Sequence, residues 1–68
     1  MNMKKFEVDC NFNYLGPDMP SLSKKEVITF NLNTNDRVVV YQDDDEWVGT
    51  VVFDDKLPLM YQWYVRLD

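Results

Sequence analysis

The chain has 68 residues, which predicts a single domain over residues 1–68; a domain of this size buries only about 60% of its unfolded surface and needs a core dense in large side chains. Four Phe, four Tyr and two Trp meet that need without staples, and a lone cysteine, Cys10, excludes the internal disulfides of small secreted scaffolds. The formal charge of −5, with seven Lys and Arg scattered among twelve Asp and Glu, argues against a nucleic-acid surface, and the lack of histidine removes the usual general base, the nucleophilic triads and the common zinc sites.

The first stretch, MNMKKFEVDC, has two lysines but alternates instead of carrying the apolar block of a signal peptide. No apolar run approaches the roughly 18 residues of a membrane helix. The expectation is a mature soluble protein of the cytoplasm with no membrane association. From Phe6 the even positions Phe6, Val8, Cys10, Phe12 and Tyr14 are apolar while Glu7, Asp9, Asn11 and Asn13 are polar, the period of a first strand with one wet face. Cys10 falls on the inner face as a small buried hydrophobe, with no basic neighbour to activate its thiol.

LGPDMPSLSKKE holds Gly16, Pro17 and Pro20 and follows neither regular period, which predicts a long loop. VITFNL resumes alternation as a second strand, with Ile28, Phe30 and Leu32 on one face. NTND supplies turn chemistry, and RVVVYQ is a third strand, β-branched on both faces and therefore central or covered on both sides. Asp43, Asp44 and Asp45 form a tight turn. EWVGTVVF follows as a fourth strand with Trp47, Gly49, Val51 and Phe53 on one face, Gly49 marking a bend, a bulge or a close backbone approach. After DDKLPL, MYQWYVRL is a fifth strand, with Tyr61, Trp63, Val65 and Leu67 on one side and Met60, Gln62, Tyr64 and Arg66 on the other. No segment has a helical period. Five short strands, tight turns and one long early loop predict an all-β fold, a five-stranded antiparallel barrel.

Ile28-Thr29-Phe30 followed by NTNDRVVVYQDDDEWVG resembles the middle of an SH3 domain, where a short strand and a diverging turn lead to a strand, an acidic loop, a tryptophan and a small residue. Pro58-Leu59-Met60-Tyr61 has the P-x-x-Y spacing of that family's end. Asn13-Tyr14 stands where the family has its first aromatic cluster, and residues 15–26 where it has its long acidic loop. The resemblance implies an SH3-like barrel. It departs at the ligand face: of the family's two adjacent tryptophans, the ligand-stacking one is replaced by Glu46 and Trp47 stands at the second. The glycines before the proline are absent, and residues 62–68 run past the family's usual end. The resemblance therefore implies the barrel without implying recognition of proline-rich peptides.

Catalysis would fall to carboxylates, but Asp43 to Glu46 and Asp54-Asp55 read as exposed turns and not as a cleft that splits two pKa values, so no enzyme activity is expected. DDDEWVG does not follow the ligand order of a calcium loop, and no metal or other cofactor is expected. Trp47, Trp63 and Tyr61 belong with core packing. Tyr14, Tyr41 and Tyr64 remain as surface aromatics, with Asp18, Asp43, Asp44, Asp45 and Glu46 as an acidic rim. That set predicts a non-catalytic module that binds a protein or peptide partner of basic character in extended form. A second reading is a small acidic inhibitor or immunity-type protein that blocks a basic active site, such as that of a nuclease. A structural subunit with no separable activity is the third.

Overall fold

The computed structural model describes residues 3–68, and over them the chain is mostly β. Four strands, β1 (Lys4–Glu7), β2 (Arg37–Gln42), β3 (Asp45–Phe53) and β4 (Trp63–Leu67), form one sheet in the order β1-β2-β3-β4. β2 pairs antiparallel with β3, Val40 opposite Trp47 and Val38 opposite Gly49; β3 pairs antiparallel with β4, Val51 opposite Val65. β1 runs parallel to β2, Phe6 opposite Val40, which requires a crossover over residues 8–36 in place of a hairpin. The sheet is mixed and does not close, so the five-stranded antiparallel barrel is corrected to an open four-stranded sheet.

Two expected strands account for most of the difference, and the expected fifth strand is shorter than its alternation predicts, Met60 and Tyr61 lying in a 3-10 turn, Leu59–Tyr61, before β4. The first ends at Glu7 because Asp9 turns the chain: its side chain accepts from the Asn11 amide at 2.9 Å and its carbonyl accepts from the Phe12 amide at 2.9 Å. The polar residues that alternation assigns to a wet face are turn formers. The expected second strand, Val27 to Leu32, is instead the end of a short helix, α1 (Lys24–Thr29), and its C-terminal cap.

Local chemistry defines both ends of α1. Ser23 caps the start, its hydroxyl accepting from the Glu26 amide at 3.1 Å while the Glu26 carboxylate accepts from the Ser23 amide at 3.0 Å. At the other end Asn31 takes a positive φ of 51°, its amide donates to Ile28 and the Leu32 amide donates to Val27, a Schellman motif with Asn in the left-handed position. Val27 and Phe30 then face the core, Phe30 stacking on Phe6 at 5.0 Å, and Ile28 is left 77% exposed.

The loop after α1 behaves as its composition predicts. Asn35 has a positive φ of 73°, and the Asp36 carboxylate accepts from the Asn33 amide at 2.9 Å.

β2 lies between β1 and β3, as its two β-branched faces predict. The buried core is Phe6, Val8, Leu22, Leu32, Val38, Val40, Val51 and Val65. It is aliphatic apart from Phe6. Cys10, Trp47, Trp63 and Leu67 pack against it only partly buried, so the tryptophans border the core instead of filling it. The far edge of β4 is covered by the segment 18–22: the Leu67 amide donates to Asp18, the Val65 amide to Pro20, and the Leu22 amide to Trp63, at 2.8 to 2.9 Å. Pro20 lacks an amide hydrogen and interrupts this ladder, which leaves only an isolated bridge between Ser21 and Tyr64.

Gly49 is buried where β2, β3 and β4 meet; a Cβ there would stand 2.6 Å from Val65 Cγ1 and 2.8 Å from the Arg66 carbonyl oxygen. A backbone oxygen cannot step aside as a flexible side chain can. Gly49→Ala is expected to lower stability by about 1 to 3 kcal/mol, and Ser23→Ala by about 1 kcal/mol through loss of the cap, both measured by urea unfolding. A Gly49→Ala protein as stable as the parent would contradict this packing.

Candidate functional site

The turn between β2 and β3 has two central residues, Asp43 and Asp44, flanked by the pair Gln42 and Asp45. Asp43 takes a positive φ of 55°, as the first central residue of a primed hairpin turn must, and Asp tolerates that region better than most residues. Because strand faces alternate, Asp45, Trp47 and Gly49 lie on the inner side of β3 and Glu46 on the outer. The acidic tip is therefore divided between two faces.

On the inner side the turn borders a cavity of about 240 Å³. Trp47, Leu67 and Cys10 give it an apolar wall; Asp43 and Asp45 reach it from the hairpin, and Pro17 and Asp18 from the long loop. Two contacts hold these segments together. The Gln42 side chain accepts from the Cys10 amide at 2.9 Å, and the Asp18 carbonyl accepts from the Leu67 amide at 2.9 Å. Three acidic residues thus line one cavity with Trp47, and no basic residue lines it. The Cys10 thiol registers this setting: partial burial raises its pKa above the ordinary value, and the charges of Asp9 and Asp18 raise it further.

On the outer side a cation is already in place. Lys5 pairs with Glu46 at 2.8 Å and its ammonium lies 5.6 Å from the centre of the Tyr41 ring, with Asp43 and Asp44 close by around the same hollow. Tyr41 and Glu46, opposite one another across β2 and β3, are thereby engaged within the molecule. Both charged groups are solvent-exposed, so the pair contributes less than about 1 kcal/mol.

The tyrosines do not form one groove. Tyr41 and Tyr64 share the outer face but lie opposite Glu46 and Val52, toward opposite ends of β3. Tyr14 is exposed and stacks on Tyr61 at 5.1 Å, alongside Phe12. Of the residues expected to form the site, Asp18, Asp43 and Asp45 share a cavity; Tyr41, Asp44 and Glu46 share the outer hollow with Asp43; Tyr14 and Tyr64 stand apart. Trp47, Cys10 and Leu67 were not among the expected binding residues. Strand parity alone places Trp47 on the same side as Asp45, and that is the signal that would have found it.

Among the described residues no group of three or more Cys, Asp or Glu side chains is placed to hold a metal ion, and no helix is long and apolar enough to cross a membrane. Comparison with known proteins returns no matching family model, no matching curated protein and no matching solved structure.

The raised thiol pKa sets a pH dependence. At neutral pH Cys10 holds its proton, so alkylation by iodoacetamide is expected to be slow and to rise with a midpoint above that of a free thiol. Asp18→Asn removes one of the charges that hold the pKa up and is expected to move the midpoint down. A midpoint at or below the free-thiol value would contradict the electronegative cavity.

Proposed function

We propose that this chain is a non-catalytic protein-binding module whose cavity over Trp47 receives a basic side chain of a partner protein. The observation that carries this reading is that Asp18, Asp43, Asp45 and Trp47 line one cavity, in which no basic residue takes part. A guanidinium or ammonium entering there exchanges water for charge-assisted hydrogen bonds to carboxylates and for the face of an indole, the best of the aromatic partners for a cation. An arginine gains most, because its planar head can stack and bind a carboxylate through two nitrogens at once. The molecule offers a small example of the same chemistry in Lys5, held between Glu46 and Tyr41. The net charge of −5 supports the approach of a basic segment before contact. The hairpin of β2 and β3 supplies the acidic turn between paired strands.

Titration with an arginine-containing basic peptide, followed by amide and indole shifts in NMR spectra, tests the reading. Shifts are expected at Trp47, Asp18, Asp43 and Asp45. The double variant Asp18→Asn/Asp45→Asn is expected to bind about tenfold more weakly and with a smaller dependence on salt, at unchanged stability. Shifts spread evenly over all the acidic residues, or an affinity that ignores the double variant, would contradict it.

A further inference from the structure

Several exposed apolar side chains gather at the other end of β3 and β4. Leu59 and Met60, in the 3-10 turn Leu59–Tyr61, are 72% and 67% exposed, and Tyr14 and Phe53 are also exposed. Aromatic contacts form two groups beside them: Tyr14 stacks on Tyr61, which meets Phe12 at 5.6 Å, and Phe53 meets Trp63 at 4.9 Å; Phe12 and Trp63 then line one cavity with Leu59 and Met60. Between the 3-10 turn and the start of α1 this surface sinks into a cavity of about 240 Å³, lined by Phe12, Leu22, Leu59, Met60 and Trp63 together with Ser23 and Lys24. Contiguous apolar surface of this kind on a small acidic protein marks a contact site.

Lys24 is the only charged residue that lines the cavity, and among the described residues it has no ion-pair partner. We propose that this surface docks a segment of another protein that inserts an apolar side chain between Leu59, Met60 and Trp63 and brings a carboxylate to Lys24. Charge complementarity selects this occupant. An acidic segment meets a cation here, whereas the hairpin tip at the other end repels it. The flexible Met60 side chain lets the cavity adapt to the inserted group.

The probe is a displayed library of random short peptides selected on the immobilised protein. Enriched peptides are expected to combine a large apolar residue with Asp or Glu, and to lose binding to the variant Leu59→Ser/Met60→Ser. Both positions are exposed, so the variant is expected to keep the parent's NMR fingerprint. Lys24→Glu is expected to weaken the acidic peptides about tenfold and to recover binding by the same peptides with their acids changed to Lys. Lack of enrichment, enrichment of basic peptides, or binding retained by Leu59→Ser/Met60→Ser would overturn the proposal. So would a dimer in sedimentation that Leu59→Ser/Met60→Ser abolishes, because it would assign the surface to a second copy. Asp18→Asn/Asp45→Asn is expected to leave these affinities unchanged, so failure here leaves the reading of the Trp47 cavity standing.

Discussion

Three backbone hydrogen bonds, from Leu67 to Asp18, Val65 to Pro20 and Leu22 to Trp63, hold the rest of the structure in place. They cover the edge of β4, which would otherwise present unpaired amides and carbonyls to any passing strand. They also fix where the long loop travels. One end of the segment brings Asp18 to Leu67, beside the cavity that Trp47 borders; the other brings Leu22 to Trp63 and hands the chain to Ser23, the cap of α1. Both candidate surfaces include residues of this one segment, Asp18 at one end and Leu22 at the other.

The two surfaces differ in what they ask of a partner. At the hairpin end, acidic residues from separate parts of the chain, Asp18 and the turn residues Asp43 and Asp45, line one cavity, and the proposed partner there is a cation. At the opposite end apolar surface is exposed around a single lysine, and desolvating that surface is itself favourable by about 25 cal/mol for each Å² covered. For the proposed partners, the first would act chiefly through rapid, salt-sensitive encounter and the second through slower release. A small sheet with a short helix suits this division because strand direction separates the two ends, with the buried residues Val38, Val40, Val51 and Val65 between them.

Strands β2, β3 and β4 were legible in the sequence because they are consecutive, alternate with period two and are joined by recognisable turn residues. Parity gave their faces, and Gly49 announced the close approach that Val65 and Arg66 make. The helix was hidden because Val27 to Leu32 alternates by accident of spacing; the signals that outweigh the alternation, Ser23 with Glu26 and Asn31 after the last turn, lie at its two ends. The pairing of residues 18–22 with β4 was hidden by two prolines, which read as loop in sequence and do lie in irregular backbone, yet leave carbonyls free to accept from β4. Part of the candidate site depended on that pairing. Sequence grouped Asp18 with the acids of the turn but supplied tyrosines for the floor, whereas the loop's path puts Trp47 and Leu67 there.

Native-state hydrogen exchange at Val65, Leu67 and Leu22 tests this arrangement most directly, because all three amides donate across the join between the loop segment and β4. Protection comparable to that of core amides in β2 and β3 is expected, since the segment covers the sheet edge and should open only with the sheet. Exchange at the rate of an exposed loop would mean that residues 18–22 do not hold β4, and would remove the constraint that places Asp18 beside Trp47 and Leu22 beside Trp63.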